Sequence, residues 1–343
     1  MDADHLNGAL QLALAPGRQQ RLLRHASSFA RACAQLPEPD PGLVARTLSW
    51  LDLENTHIVH WFHPAYPDHL RAIHKPPLAL FCHGNSELLN AFQIAFVGSR
   101  KASPGGLHTA SYLAEKLCER GAVITSGLAL GIDAAAHRAA LAVGTSVAVI
   151  GTGADRYYPP RNRQLQQQLA SSGLVVSEFP PGWPAKADHF PRRNRIIAGL
   201  SQGVVVVEAV ENSGSLITAR LALEQGREVF AVPHSMWEPA GFGCNRLIQQ
   251  GAKLVLTEED IFNEFPSWLN GPTTPAKCTE NKCLEGLANA PLLANVGNEV
   301  TSIDVLVARS GLSVAVVTEQ LVLLELEGLV ASVPGGFIRM GRR

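Results

Sequence analysis

Short apolar runs rich in β-branched residues alternate with amphipathic stretches over residues 94–255. Runs of this length, bounded by glycine, proline and polar turns, predict strands, and seven of them separated by helices are typical of a doubly wound sheet. The run at 204–207 is valine throughout, as expected of a central parallel strand that is covered on both faces. Residues 78–83 predict one more strand, which precedes the seven runs and leads into the main domain. The seven runs lie at 94–97, 123–125, 147–150, 175–177, 204–207, 229–232 and 254–256.

The two ends of the chain carry helical patterns. Leucines in helical register open the chain and a second short helix is predicted at 43–53, so residues 1–70 are interpreted as a small helical, SAM-like module. The last 40 residues predict helix, turn, helix and a two-stranded wing, with Ser313 as an N-cap and Gly328 ending the second helix. These winged-helix segments lie at 302–309, 313–327, 329–333 and 337–340.

Together these patterns predict an α/β chain built around an extended Rossmann-like, doubly wound and mostly parallel sheet. A stretch that gathers Pro, Asn, Thr and Gly separates this sheet from the winged helix and is interpreted as a linker. The predicted boundaries are 1–70 for the helical module, 71–265 for the extended Rossmann-like domain, 266–295 for the linker and 296–343 for the winged-helix domain.

Composition narrows the class of protein. The 343 residues are 46% hydrophobic and carry a net charge of only -1, so an anionic partner must be attracted by a local patch instead of a global field. The window 156–195 holds seven basic residues against two acidic ones and is the candidate patch. Six cysteines show no metal-ligand spacing, which favours reduced thiols, and no apolar run has membrane-spanning length. We therefore expect a cytoplasmic protein with no membrane attachment.

Glycine turns follow several predicted strands, and each has two interpretations. Gly98 lets backbone approach a ligand at the carboxyl end of a strand, or it simply makes a tight turn. The loop with Gly127 and Gly131 resembles a dinucleotide fingerprint, but it is not GxGxxG and no Walker lysine follows it, so no NAD or ATP cofactor is expected. The segment 213–215 is either an anion cradle at a helix start or a well-capped helix, and the sequence leaves both open.

The segment 190–195, Phe-Pro-Arg-Arg-Asn-Arg, is the strongest single signal. Guanidinium groups fork to phosphates, and the ring of Phe190 can accept the face of a base. The segment precedes a helix predicted at 196–200, where cations oppose the helix dipole, so we expect an anion to compensate them.

Two other candidate features are given structural interpretations. Asp133 and His137 lie four residues apart on a predicted helix, but an aspartate in a first turn is usually a dipole partner, and no third metal ligand accompanies them. The second helix of the winged-helix segment carries Glu319, Glu325 and Glu327 and no lysine or arginine. Phosphate repels such a helix, which favours a protein-contact or structural role over groove reading.

With these motifs in view, the chain resembles the DNA-processing protein A family, also called DprA or Smf. The resemblance covers roughly four fifths of the chain and rests on several separated motifs. Two departures are His234, where the family usually has glycine, and Phe242, where a small polar residue is common. The matching segments are 62–67, 96–100, 125–133, 136–137, 158–159, 177–178, 190–195, 214–219, 254–255 and the tail at 292–340.

The resemblance implies a protein without enzymatic turnover that binds and protects single-stranded DNA, forms a homodimer, and loads the RecA recombinase onto strands coated with single-strand-binding protein during natural transformation. Carried onto this chain, the arginines would hold phosphates and the glycine turns would offer free backbone N–H groups. The expected DNA-binding residues are Gly98, Ser99, Arg100, Lys101, Gly127, Arg192, Arg193, Asn194, Arg195, Gly214 and Ser215.

One alternative belongs to another class, a nucleotide-phosphate hydrolase on a lysine-decarboxylase-like Rossmann scaffold. Such enzymes need a carboxylate beside the glycosidic bond, in a turn that reads Pro-Gly-Gly-x-Gly-Thr followed by acidic residues. The comparable turn here, 214–220, ends in Ala219 and Arg220 and holds no acid. The sequence therefore disfavours the hydrolase, and we expect no catalytic residue and no bound metal.

Overall fold

Nine strands form one sheet in the described residues; seven of them follow the predicted runs, and one more follows the strand predicted at 78–83. The computed structural model describes residues 3–15, 26, 28–34, 36–269, 290–293, 295–297 and 300–340. The strands of this sheet are β1 (Thr56–His60), β2 (Ala79–Gly84), β3 (Gln93–Val97), β4 (Val123–Ser126), β5 (Ser146–Ile150), β6 (Leu174–Ser177), β7 (Gly203–Val206), β8 (Glu228–Ala231) and β9 (Lys253–Leu254).

Helices precede, connect and follow these strands. In the N-terminal half of the described chain they are α1 (Ala3–Leu14), α2 (Phe29–Cys33), α3 (Pro41–Leu51), α4 (Asp68–Arg71), α5 (Pro104–Glu119), α6 (Ile132–Val143) and α7 (Arg163–Ser172). They continue with α8 (His189–Leu200), α9 (Gly214–Glu224), α10 (Phe242–Gln249), α11 (Glu259–Phe262), α12 (Pro266–Leu269), α13 (Ala290–Leu293), α14 (Ile303–Ser310) and α15 (Val314–Leu326).

The order of the strands places a ligand-binding crevice. The sheet runs β1-β2-β6-β5-β4-β3-β7-β8-β9, with β6 to β9 parallel and β1 and β2 added antiparallel at one edge. From β3 the chain winds toward β6 in one direction, and from β7 it winds toward β9 in the other. In open α/β sheets such a reversal opens a crevice at the carboxyl ends of the two strands, here β3 and β7.

Both faces of the sheet are covered, as the all-apolar strands require. Along β3, Ala95 and Val97 pack on the face that is covered by α8, α9 and α10, whereas Ile94 and Phe96 pack on the face covered by α5 and α6. The alternation follows from the two-residue period of a strand. The helix α5 follows β3 on one face of the sheet, and α9 follows β7 on the other. The loops that precede these two helices therefore meet at the crevice.

The N-terminal segment differs from its prediction. Residues 56–60 form β1, which pairs antiparallel with β2, so the expected helical module at 1–70 contains an edge strand of the main sheet. Leu6 and Leu10 of α1 and Trp50 of α3 pack against Phe81 of β2. The strand was missed because Thr56–His60 carries two histidines and offers only a short apolar signal. The start of the main domain at residue 71 is therefore placed too late.

The winged-helix prediction is confirmed in detail. Strands β10 (Val330–Val333) and β11 (Gly336–Arg339) form the antiparallel wing that follows α14 and α15. Ser313 accepts the N–H of Val316 and caps α15, and Gly328 has φ +70°, the left-handed conformation that favours glycine after a helix. Where the chain is described, no single helix is long and apolar enough to cross a membrane; only the pair α14 and α15 passes by length and composition, bent by 109°.

The predicted linker is too long at both ends. Trp268 of α12 stacks on Phe92 with 4.3 Å between ring centroids, so residues 266–269 belong to the main domain. Leu292 and Val296 are buried in the winged-helix core, which therefore begins before residue 296. Most of the remaining linker lies outside the described residues.

Candidate nucleic-acid interface

A cavity of about 520 Å³ lies at the carboxyl ends of β3 and β7, where the winding of the sheet reverses. Four chain segments that are distant in the sequence meet there: the loop after β3, the turn after β4, the first half of α8 and the start of α9. Some of the predicted site residues line the cavity together, namely Gly98, Arg100, Arg193, Asn194, Gly214 and Ser215, whereas Ser99, Lys101, Gly127, Arg192 and Arg195 are not in its wall. The residues that line its wall include Gly98, Arg100, Ala129, Asp133, Phe190, Arg193, Asn194, Ser213, Gly214 and Ser215.

Arg100 is the exposed cation of the cavity. Its guanidinium carbon lies 5.9 Å from the centroid of the Phe190 ring, within range of a cation–π contact. Neighbouring Lys101 is also exposed, and its N–H donates to the hydroxyl of Ser99 at 3.1 Å. The loop after β3 therefore offers two solvated positive charges beside an aromatic ring.

Glu208 holds this loop in place, and the sequence analysis missed it. Its carbonyl oxygen accepts the N–H of Ser99 at 2.7 Å, and its buried carboxylate accepts the N–H of Ser103 at 3.0 Å. Both ends of the segment that carries Arg100 are thus tied to one residue. The only sequence signal was an acid directly after the all-valine run, at the carboxyl end of a central strand.

The same carboxylate changes what the start of α5 can bind. In nucleotide-binding Rossmann folds a phosphate sits at the N-terminus of the first helix, on free N–H groups. Here the N–H of Ser103 bonds Glu208, and the N–H of Gly106 bonds the hydroxyl of Ser103 at 3.0 Å. An internal carboxylate therefore occupies the position of the phosphate and repels a second anion there.

Arg193 is buried instead of facing solvent. It donates hydrogen bonds to the carbonyls of Gly127 and Val149, the latter at 2.6 Å, and Asp133 lies close enough to favour its charged form. Burial nevertheless lowers the pKa of Arg193 to about 10. The side chain lines the cavity floor and joins the turn after β4 to β5 and α8. Sequence reasoning counted it as a free cation because its carbonyl partners are 44 and 66 residues away in the chain.

The turn after β4 is internally satisfied. Asp133 accepts the N–H groups of Gly127 at 3.1 Å and of Ala129 at 3.2 Å. Burial raises the pKa of this carboxyl, and the Arg193 guanidinium opposes the rise. The prediction that Gly127 offers a free N–H to phosphate is therefore wrong, because that group already has an acceptor.

Arg192 and Arg195 do not line the cavity with Arg100. Both pair with Glu178, whose side chain is nearly buried, and the Arg192 contact measures 3.4 Å. They lie inside α8, which starts at His189 and not at residue 196 as predicted. The anion expected to compensate the arginines is thus part of the protein. Arg192 remains half-exposed above the ring of Phe179, whereas Arg195 is largely covered.

The remaining predicted N–H donors divide into two groups. The N–H of Ser99 bonds Glu208 and that of Ser215 bonds the Ser213 hydroxyl at 3.3 Å, so neither is free. At Gly214 the position of a Cβ has no atom within 4 Å, which leaves the start of α9 open toward the cavity. At Gly98 a Cβ would lie 2.6 Å from Ile132, so that glycine serves close packing of the loop. The segment 213–215 is therefore a capped helix that still presents an open glycine.

The structural interpretation of Asp133 and His137 is confirmed. His137 lies 2.7 Å from the hydroxyl of Ser146 and is completely buried, which lowers its pKa to about 3 and keeps it neutral. Asp133 bonds backbone amides as described above. No group of three or more metal-ligating side chains occurs in the part of the chain that the structure covers.

The two departures from the family pattern are His234, on the loop after β8, and Phe242, at the start of the helix that ends this loop. His234 places its ring 2.8 Å from the carbonyl of Val207, and a Cβ on Gly241 would collide with that ring. The imidazole thus fills the inside of the loop. Phe242 begins α10 and is partly exposed, with 42% of its surface in contact with solvent.

The sequence and the fold of this chain match known proteins. The family model of DNA recombination-mediator protein A matches residues 57–266, and that of the DprA winged helix domain matches residues 285–336. The chain belongs to the DNA recombination-mediator protein A family. The start of the first match at residue 57 agrees with the position of β1 in the sheet.

Relatives of this family are similar over most of the chain. The protein Smf of Escherichia coli strain K12 is 45% identical over 304 residues, which are 87% of this chain and 81% of Smf. DNA processing protein DprA of Streptococcus pneumoniae is 49% identical over 201 residues, 58% of this chain and 71% of that protein.

Two solved structures share the fold. The X-ray structure of DprA from Streptococcus pneumoniae superposes with a TM-score of 0.64 at 37% identity and covers 75% of this chain and 96% of its own. A structure of DNA processing protein A from Helicobacter pylori, described for its single-stranded DNA binding mode, has a TM-score of 0.55 at 30% identity and covers 59% and 93%. The predicted α/β fold with a mostly parallel sheet and a winged helix is therefore confirmed.

Proposed function

We propose that this protein binds single-stranded DNA in the cavity at the carboxyl ends of β3 and β7 and acts in DNA processing during natural transformation. The observation that carries the proposal is Arg100, an exposed guanidinium held over the Phe190 ring beside the open start of α9. A guanidinium holds a phosphate through paired hydrogen bonds, and an aromatic ring can stack on any of the four bases. The single-stranded DNA binding mode of the Helicobacter pylori relative supports the same ligand class.

The finer role is delivery of the bound strand to the RecA recombinase, in competition with single-strand-binding protein. Binding through phosphates and one face of a base leaves the remaining base edges free for pairing in a recombinase filament. We further propose a homodimer, because two linked cavities on one strand raise the effective concentration of the second contact. Sedimentation at micromolar protein tests the dimer.

The hydrolase is not supported by the geometry. Among the residues that line the cavity, Asp133 is the only carboxylate. It is buried and bonds two backbone N–H groups beside Arg193, so it is not positioned as a free acid at a glycosidic bond.

The first test compares oligonucleotides of equal length in single-stranded and duplex form by gel shift at several salt concentrations. We expect a preference for the single strand, because stacking on a ring requires unpaired bases. At about 0.7 per phosphate neutralised on a single strand, contacts from the solvated Arg100 and Lys101 give a slope of log K against log salt on the order of -1 to -2. Equal affinity for duplex, or a slope near zero, would contradict the proposed ligand.

The second test measures how fast RecA filaments form on single-stranded DNA that is already coated with single-strand-binding protein. Substoichiometric amounts of the protein are expected to shorten the lag before filament growth, because a loader acts at nucleation. Uncoated DNA is the control, since RecA nucleates there without help. An unchanged lag on coated DNA would remove the loading role and leave DNA binding intact.

A further inference from the structure

Three aromatic rings flanked by two guanidinium groups lead away from the cavity across the loop after β5. We call Arg163, Tyr157, Tyr158, Phe190 and Arg100 the stacking ridge. The guanidinium carbon of Arg163 lies 4.9 Å from the Tyr157 ring centroid, and the rings of Tyr158 and Phe190 lie 5.5 Å apart at a 37° tilt. Arg100 closes the series at 5.9 Å from Phe190. The ridge thus begins inside the cavity and ends on open surface.

Both tyrosines of the ridge present their rings to solvent. Tyr157 is 40% exposed and Tyr158 is 42% exposed, although the rest of the loop is tightly bonded. Single exposed apolar residues are common on protein surfaces and need no explanation. Here Tyr158 continues the ring contact of Phe190, and Tyr157 lines the same groove as Tyr158. Exposed rings placed in this way accept bases without regard to sequence.

The loop that carries the tyrosines is held from three sides. The side-chain amide of Asn162 donates to the carbonyl of Leu128 at 2.9 Å, which joins the loop to the turn after β4. Asp155 accepts the N–H of Gly182 at 2.7 Å, and Gln166 donates to the carbonyl of Arg156 at 2.9 Å. The rings therefore lose little conformational freedom when a ligand covers them, which favours binding.

The surroundings of the ridge are basic. Arg156, Arg161 and Arg163 are all exposed, and only Arg156 has an acidic partner, Asp155 at 3.5 Å. Arg161 and Arg163 take part in no ion pair with any residue of the described ranges. An open groove of about 610 Å³ runs beside both tyrosines. Rings beside unpaired guanidiniums fit a polyanion that also carries flat faces, which distinguishes a nucleic acid from an apolar peptide.

We propose that Tyr158 and Tyr157 form a second base-binding platform, so that a strand leaving the cavity past Arg100 stacks bases first on Phe190 and then on the two tyrosines. This inference rests on the proposed function and assigns the direction in which the strand leaves the cavity. The platform extends the site from the cavity toward β5 and lengthens the stretch of DNA that one protomer covers.

The test separates bases from phosphates. Wild-type protein is titrated with oligothymidylate and with an oligonucleotide of equal length whose sugars carry no bases, at one salt concentration. We expect the wild type to bind the abasic strand at least about tenfold more weakly, since a stacked base contributes about that factor or more. The variant Tyr158→Ala is expected to lose part of that difference, because Phe190 still stacks a base, whereas Tyr158→Phe, which keeps the ring, retains all of it.

Controls distinguish this inference from the proposed function. The salt dependence of Tyr158→Ala should equal that of the wild type, because no charge is removed. Trp237→Ala removes an aromatic residue that is 81% exposed on the loop after β8 and outside the ridge, and it should bind both oligonucleotides like the wild type. Melting temperatures of all variants verify that they are folded.

Two results would overturn the platform while leaving DNA binding in the cavity intact: undiminished binding of oligothymidylate by Tyr158→Ala, or an equal loss in Trp237→Ala. Equal affinity of the wild type for both strands would overturn the platform together with the base contact of Phe190. If Tyr158→Ala does not fold, Tyr157→Ala and the wild-type comparison decide. Failure of the wild type to bind either strand at low salt would instead refute the proposed function.

Discussion

Replacing Arg193 by methionine is expected to lower the free energy of unfolding by about 3–5 kcal/mol, because Arg193 is a buried, hydrogen-bonded cation whose charge favours the ionised form of the nearby buried Asp133 carboxyl. It also leaves the carbonyls of Gly127 and Val149 without a donor. Urea unfolding at neutral pH measures the loss. Arg192→Met at the next position is the matched control, and its half-exposed pair with Glu178 should cost less than about 1 kcal/mol.

A double-mutant cycle identifies the cause. If the uncompensated carboxylate dominates, Asp133→Asn combined with Arg193→Met loses less stability than the sum of the two single variants, by about 1 kcal/mol or more. Strict additivity would show that the carbonyl contacts, and not the charge of Asp133, hold Arg193. A loss below about 1 kcal/mol in Arg193→Met alone would refute its assignment as a structural arginine.

Replacing Arg100 by alanine is expected to weaken single-stranded DNA binding about tenfold or more, which is the loss of one charge-assisted contact to phosphate. The slope of log K against log salt should become less negative by about 0.7, the contribution of one neutralised phosphate on a single strand. Gel shift or fluorescence anisotropy at four salt concentrations measures both quantities. Stability should stay within about 0.5 kcal/mol of the wild type, because the side chain is exposed.

The control for Arg100 lies beyond the far end of α5. Arg120 follows the last turn of α5, at the opposite end from the Arg100 loop, and pairs with Glu259. Arg120→Ala removes the same charge and should leave DNA affinity and salt dependence unchanged. Wild-type affinity and slope in Arg100→Ala would show that the cavity is not the DNA site. Adding Arg193→Met to Arg100→Ala would not sharpen the test, since it is expected to destabilise the fold.

The function of the Arg100 loop depends on a residue from the other half of the sheet. Glu208 follows β7, yet its carbonyl and its carboxylate hold Ser99 and Ser103 at the two ends of the loop after β3. The reversal of winding makes β3 and β7 neighbours. Glu208 therefore connects the two sides of the crevice, and its carboxylate also occupies the anion site at the start of α5.

Much of the fold follows from local chemistry. The strands β3 to β8 were predicted to within about two residues, because central parallel strands are apolar on both faces and end at glycine or polar turns. The winged helix was predicted as well, since Ser313 and Gly328 mark the two ends of α15 by capping chemistry that acts within a few residues. Strand β1 was missed because an edge strand needs only one apolar face and shows a weaker pattern.

The candidate site, like the fold, could be predicted from the sequence only in part. The pattern of strands and turns along the chain predicts which loops end at the crevice and that they carry glycines and arginines, because carboxyl ends of parallel strands share one edge of the sheet. Which of these arginines is free depends on contacts that form in three dimensions. Arg193 bonds two carbonyls, and Arg192 and Arg195 share Glu178, whereas Arg100 stays exposed over Phe190. Hydrogen bonds and ion pairs form between groups that are close in space, and a chain read in order does not state those distances.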